Sequence, residues 1–218
     1  MADTSKTSPR RALAADLARE VSDRRVLDAM GRVPREIFLP ENERRGAYEN
    51  RPLPIGYGQT ISQPLIVALM TEALQLTGDE TVLEVGTGSG YQAAVLSLLA
   101  RHVVTVERIP ALAERAARVL ADAGYSNCEV HMAGHKVGRP ESGPYNAIIV
   151  TAASPEVPPE LLLQLAIGGR LVIPVGSRTL QELVRIEKTS GGARRHNLGP
   201  CRFVPLVGPS GWPEPASS

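Results

Sequence analysis

Val82-Leu83-Glu84-Val85-Gly86-Thr87-Gly88-Ser89-Gly90 is an apolar strand with one embedded acid that runs into a turn of alternating glycines. Tyr91-Gln92-Ala93-Ala94-Val95-Leu96 follows as the start of a helix. A strand–glycine turn–helix unit brings bare backbone N–H groups to the positive end of a helix, where a ligand's polar tail can approach them closely. Around it the pattern alternates: strand 82–85, helix 91–100, strand 103–106, helix 110–123, strand 128–132, strand 147–151, helix 159–166, strand 170–175, then strands near 181–187 and 202–207. Apolar strands alternating with helices predict an α/β fold, a mostly parallel sheet covered on both faces. Ligands of such sheets sit at the carboxyl ends of the strands, near the point where the strand order reverses.

The acid and the glycine spacing together select the ligand. A phosphate would be repelled by Glu84, whereas the ammonium of an amino-acid-like ligand would be attracted. The dinucleotide fingerprint needs a third glycine three residues after the second, and the residue three after Gly88 is Tyr91. Glu107 ends the next strand, roughly 20 residues beyond the first glycine, where an acid accepts ribose hydroxyls. These features point away from a nicotinamide dinucleotide and towards S-adenosylmethionine. Glu107 also reads as a solvated acid capping the helix at Pro110.

The chain has 218 residues, a formal net charge of +1, 43% hydrophobic and 22% charged residues. That suits one soluble α/β domain and leaves no charge footprint for nucleic acid. Aromatics at 4% argue against stacking platforms for single strands. Cys128 and Cys201, and the histidines at 102, 131, 135 and 196, show no metal-ligand spacing, so no metal is expected. No stretch approaches the length of a membrane span, and the polar N-terminus lacks the apolar core of a leader, so a cytoplasmic protein is expected.

Residues 1–10 read as a disordered tail, 11–78 as a helical cap with a substrate loop, 79–207 as the main domain and 208–218 as a tail, with fraying from Pro205 onward. Leu13, Leu17, Val21, Val26 and Leu27 recur at helical spacing within 11–30, for one or two helices. The stretch 48–64 is too rich in Pro and Gly for a central strand or helix, and such loops gather functional groups. Pro64 opens the next helix, whose apolar face runs from Leu65 to Leu76.

Several motifs, in order from about residue 11 to 207, resemble the protein-L-isoaspartate O-methyltransferase family. They are Val33-Pro34-Arg35-x-x-Phe38, Arg51-Pro52-Leu53-Pro54-Ile55-Gly56, Gly58-Gln59-Thr60-Ile61-Ser62-Gln63-Pro64, the glycine turn with Tyr91-Gln92-Ala93-Ala94, Ile148-Ile149-Val150-Thr151-Ala152-Ala153, and Gly168-Gly169-Arg170-Leu171-Val172-Ile173-Pro174-Val175-Gly176. The resemblance implies a Rossmann-like class I methyltransferase with a seven-stranded sheet and an N-terminal helical cap. It implies methyl transfer from S-adenosylmethionine to the free carboxylate of L-isoaspartyl residues in damaged proteins or peptides, the ester then closing to a succinimide; separately, a monomer is expected.

By the same resemblance Ser62 is the active-site hydroxyl. Ile61, Gln63, Pro64, Glu84, Gly86, Thr87, Gly88, Ser89, Gly90, Glu107, Arg108, Gly134, His135 and Gln181 fall to the cofactor, and Ile55, Thr60, Thr151, Ala152 and Ala153 to the acceptor. Ser62 reads equally as an N-cap for the helix at Pro64.

The chain departs from the family pattern at several places. Ala133-Gly134-His135 stands where the family has Gly-Asp-Gly, whose Asp contacts adenine. Asn50 and Asn146 stand where Asp is usual, Tyr57 where His is, and Arg139 where an aromatic is. These departures read as several losses around one pocket, so that the adenine site is relaxed or the enzyme is retuned to another carboxylate. A non-catalytic cofactor-binding module is the third reading, opposed by the retention of Ser62, Glu84, Glu107 and the glycine turn.

Overall fold

The computed structural model describes residues 8–208 and 210–213. Most of the expected N-terminal tail, and residues 214–218, lie outside them. Helices α1 (Pro9–Leu17) and α2 (Arg24–Arg32) resolve the expected helical stretch into two, α2 opening on Asp23, whose carboxylate accepts from Arg25 N at 2.9 Å. Two short 3-10 turns follow at Arg35–Phe38 and Glu41–Gly46.

The Pro/Gly-rich loop contains a small hairpin, β1 (Leu53–Gly56) and β2 (Gln59–Ile61), paired antiparallel with Leu53 opposite Ile61. Tyr57 and Gly58 form its turn, both with positive φ (55° and 67°), as a two-residue hairpin of matching twist requires. Helix α3 (Pro64–Leu74) starts immediately after it.

The main sheet is built from β3 (Thr81–Val85), β4 (His102–Glu107), β5 (Cys128–Met132), β6 (Tyr145–Val150), β7 (Leu165–Gly176), β8 (Gln181–Thr189) and β9 (Gly192–Cys201). Their spatial order is β5-β4-β3-β6-β7-β8-β9. The strands from β5 to β7 run parallel, and β8 and β9 are added antiparallel. Helices α4 (Tyr91–Ser97), α5 (Pro110–Asp122) and α6 (Pro159–Gln164) complete the layers. The mostly parallel α/β sheet expected from the strand–helix alternation is observed, and so is the seven-stranded class I methyltransferase architecture that the resemblance implies.

Successive residues of β3 serve opposite faces: Val82 joins one hydrophobic cluster, Leu83 and Val85 the other, and all are buried. The first cluster runs continuously from Leu13 to Leu183, so residues 11–78 share a core with the sheet.

Three expectations change. The last strand is Gly192–Cys201, not 202–207. It is a mostly exposed edge strand carrying Arg194, Arg195 and His196, without the buried alternation that marks a strand in sequence. Helix α6 ends at Gln164 and β7 begins at once, five residues before the expected start. The described residues 205–208 and 210–213 are not frayed. Leu206 N donates to Ala153 O at 2.6 Å, Trp212 N to Leu206 O at 2.7 Å, and Ser154 Oγ to Ser210 O at 3.0 Å, so this strap lies across the carboxyl ends of the strands.

Candidate active site

The order of the sheet reverses at β3, with β4 on one side and β6 on the other, and a cavity opens beyond the carboxyl ends of these three strands. The glycine turn forms its floor. Gly86, Gly88 and Gly90 have φ of 101°, 52° and 90°, conformations that residues with a Cβ rarely adopt. A Cβ on Gly86 would also land on the Thr151 hydroxyl, which donates to Gly86 O at 2.5 Å and braces the turn.

Both predicted acids line this cavity. Glu84 is fully buried at the end of β3; Oε2 accepts from Thr105 Oγ1 at 2.6 Å, and Oε1 has no partner among the described residues. Thr105 Oγ1 in turn lies 2.6 Å from Thr87 Oγ1, a hydroxyl chain that ties the acid to the glycine turn. Burial pushes the Glu84 carboxyl up to about 8; the Thr105 hydrogen bond opposes the rise and the Glu107 charge adds to it. Glu107 accepts Gly88 N at 2.8 Å and Ile109 N at 2.9 Å, so its carboxylate is fixed before any ligand arrives.

A second cavity lies on the other side of Ser62. Thr60, Ser62, Thr151 and Val204 line both spaces and form the neck between them. The hairpin delivers Thr60, Ile61 and Ser62 to this neck. Helix α3 has Gln63 at its N-cap and no side-chain cap bond, so the Ser62 hydroxyl is not spent as a helix cap.

Arg35 holds the Ser62 segment from behind. Its guanidinium is fully buried, donates to Ala47 O and Ser62 O at 2.8 Å each, and lies 4.7 Å from the Tyr91 ring centre. Sequence reading passed over it as one position of a motif; no signal in the sequence separates it from a solvated arginine at the start of a short turn.

The structure distributes the expected ligands unevenly. Ile61, Ser62, Glu84, Gly86, Thr87, Gly88, Ser89, Glu107, Arg108, Gly134, Thr60, Thr151 and Ala152 line the first cavity. Others stand off it. Gln63 lines the second cavity, and Pro64 is the first residue of α3, lining neither. Gly90 is the N-cap of α4, packed under Ala116. His135 is exposed and lines neither cavity. Gln181 is buried and clamps the strap, accepting Phe203 N at 2.7 Å and donating to Phe203 O at 3.3 Å. Ala153 pairs with the strap through its backbone, and Ile55 packs beneath Gly88. The strap itself, through residues 204–208 with Ser210 and Gly211, supplies a wall that sequence reading missed, as do Gln92 and Lys136.

The departures from the family pattern do not surround one pocket. Asn146 Oδ1 accepts Thr81 N at 2.9 Å at the amino end of the sheet, and Asn50 Oδ1 accepts Leu65 N at 3.0 Å at the start of α3. Each amide oxygen serves as the acceptor a carboxylate would be. Tyr57 is exposed in the hairpin turn, and Arg139 N donates to Gln164 Oε1 away from the cavity. Of these positions only the adjacent Ala133 and Gly134 line the cofactor space.

The cavity's features fit S-adenosylmethionine: an orphaned buried carboxylate oxygen suited to an ammonium, a turn with no Cβ in the way, and a fixed acid at the ribose distance along the chain. A family profile described as protein-L-isoaspartate(D-aspartate) O-methyltransferase matches residues 10–211. A protein-L-isoaspartate O-methyltransferase of Methanoculleus marisnigri is 55% identical over 195 residues, 89% of each chain. Its counterpart in Rhodopseudomonas palustris is 55% identical over 203 residues, 91% of this chain and 93% of the relative. A solved protein-L-isoaspartate O-methyltransferase superposes with a TM-score of 0.85 at 30% identity, covering 93% of this chain and 67% of the other. A Plasmodium falciparum beta-aspartate methyltransferase crystallised with S-adenosyl-L-homocysteine superposes with a TM-score of 0.77 at 26% identity, covering 89% and 96%. This chain belongs to the protein-L-isoaspartate(D-aspartate) O-methyltransferase family.

Proposed function

We propose a division of labour in which the first cavity holds the methyl donor, the second holds the acceptor, and Ser62 in the neck aligns the two. The chain is an S-adenosylmethionine-dependent carboxyl methyltransferase of isoaspartyl residues. The observation that carries the division is the pair of cavities sharing Thr60, Ser62, Thr151 and Val204.

When bound, S-adenosylmethionine supplies an electrophilic methyl group on a sulfonium. Glu84 is placed to hold its ammonium, Glu107 its ribose hydroxyls, and the Gly86–Gly88 backbone its carboxylate end. The acceptor's carboxylate is ionised at neutral pH, so no side chain has to remove a proton from it. The chain's work is alignment: the Ser62 hydroxyl donates to one carboxylate oxygen and turns the other towards the neck. Thr151 has committed its proton to Gly86 O, so it acts as a wall rather than a donor.

Ser62→Ala is expected to lower kcat about tenfold while leaving the affinity for S-adenosylhomocysteine unchanged. Glu107→Ala is expected to do the reverse. Turnover on an isoaspartyl peptide, read as base-labile methyl ester, and calorimetry with S-adenosylhomocysteine separate the two; equal effects on both quantities would refute the assignments.

Gly134 marks the adenine end of the cavity in this reading. It has no positive φ, and a Cβ built there meets nothing within 4 Å, so a side chain fits. Gly134→Asp is expected to tighten S-adenosylhomocysteine binding about tenfold, the worth of one hydrogen bond to a charged acceptor. Calorimetry showing weaker or unchanged binding would place adenine elsewhere.

The protein acts on isoaspartyl proteins or peptides as a monomer in the cytoplasm, a setting supported by its two free thiols, Cys128 and Cys201. Light scattering at micromolar concentration checks the monomer.

A further inference from the structure

The second cavity has a charge pattern that methyl transfer alone does not require. Its walls come from Pro52 and Ile66 on one side and from the Cys201–Val204 stretch on the other, with Ser62 at the inner end. Antiparallel pairing decides which charges reach it. Gln181 stands opposite Cys201 across β8 and β9. Arg178 precedes the first by three residues and Arg202 follows the second by one, so both arrive at the same end of the sheet.

Arg178 and Arg202 are the charged residues that line this space, and no Asp or Glu lines it among the described residues. Neither arginine forms an ion pair among the described residues, whereas Arg25, Arg51 and Arg139 each pair with an acid close in sequence. Arg178 is held in place by the strap, its guanidinium carbon 5.0 Å from the centre of the Trp212 ring. A stacked guanidinium keeps its N–H edge open for a carboxylate fork and loses little entropy on making one.

We propose that Arg178 and Arg202 make the acceptor groove a charge-reading site, which captures acidic side chains flanking the isoaspartyl residue and so favours damaged segments rich in Asp and Glu. The inference rests on the assignment of this cavity to the acceptor. Both arginines are exposed, so each pairing acts in high dielectric and is screened by salt. Its size is therefore a few-fold per charge, felt in KM and not in kcat.

The test uses three isoaspartyl peptides, identical except that both flanking residues are Glu, Gln or Lys. The expected order of kcat/KM is Glu above Gln above Lys, with about tenfold between the extremes at low salt, shrinking as salt is raised. The Arg178→Gln/Arg202→Gln double variant is expected to treat the three alike at unchanged kcat. Arg178→Lys, which keeps the charge and gives up the fork geometry, is expected to retain most of the preference. Equal kcat/KM for all three peptides on the parent protein, or a preference that survives in the double variant, would overturn the inference and leave the methyltransferase reading intact. Methylation of none of them, with S-adenosylhomocysteine still binding, would overturn the acceptor assignment and this inference with it.

Discussion

Arg35→Met is expected to lower the free energy of unfolding by about 2–4 kcal/mol and to reduce methyl transfer by more than about tenfold. The reasoning starts from what the side chain holds. Ala47 O and Ser62 O each take a guanidinium N–H, and the cation lies over the Tyr91 ring. Losing the donor for a buried carbonyl costs about 1–3 kcal/mol, and a desolvated cation–π contact adds roughly 2. Against this stands the cost of burying a charge with no carboxylate beside it. That cost is visible: burial pulls the Arg35 pKa down to about 10, and Nη1 is left without a partner. At neutral pH the group nevertheless keeps its proton. The net loss is therefore smaller than the sum of the contacts.

The activity loss follows from geometry. Arg35 links the hairpin's exit at Ser62 to the segment around Ala47, so methionine frees the loop that carries Ser62, the hydroxyl proposed to align the acceptor. Arg35→Lys keeps the charge as a point ammonium that cannot fork to two carbonyls, and an intermediate loss is expected. Urea unfolding alongside kcat/KM on an isoaspartyl peptide decides it. A methionine variant that unfolds and turns over like the parent would show that the Ser62 segment is held by the hairpin alone.

Arg35 also illustrates what the chain's sequence makes legible. The buried strands β3, β4 and β6 and the glycine turn announce themselves because both sheet faces are covered: the strands are largely apolar runs that end at or directly before Gly86, Glu107 and Thr151, and these ends mark the cavity. The strand β9 was misplaced because half of it faces solvent, and an edge strand carrying Arg194, Arg195 and His196 has no apolar period to find. The strap escapes the sequence pattern because most of its bonds are backbone bonds, Leu206 to Ala153 and Trp212 to Leu206 among them, which no side-chain pattern encodes. The expected roles of Gln181 and His135 went astray for a related reason. Position along a motif does not say which way a side chain turns, and Gln181 turns towards Phe203. The hairpin comes closest to being legible, since Tyr57-Gly58 is a two-residue turn with the apolar Leu53 and Ile61 paired across the strands it joins.

Glu84→Gln is expected to weaken S-adenosylhomocysteine binding about a hundredfold at pH 8 and much less at pH 6. In the empty fold burial raises Glu84 to about 8, so below that pH the group is mostly protonated. An ammonium at Oε1 favours the carboxylate, lowers the pKa and expels the proton. Binding at pH 6.5 should then release about one proton, and affinity should fall by up to about tenfold per pH unit as the pH drops from 8. Above 8 the ligand's own ammonium begins to lose its proton, so affinity peaks near that pH. The groups facing Glu84 do not blur this. Glu107 is held by backbone N–H groups, Thr105 and Thr87 do not titrate here, and the Cys128 thiol is pushed up to about 12 by burial.

The same shift sets the sign for stability. A carboxyl whose folded pKa lies above its unfolded value of 4.5 costs the empty fold stability above pH 8, and the cost fades as the pH falls towards 4.5. Glu84→Gln should therefore raise the melting temperature of the ligand-free protein at pH 8 while it weakens the ligand, a pairing that general damage to the fold would not produce. Calorimetry in buffers of different ionisation enthalpy counts the protons, and a thermal melt supplies the second readout. Affinity that is flat between pH 6 and 8, or a glutamine variant that binds like the parent, would mean that the ammonium is held by something other than Glu84.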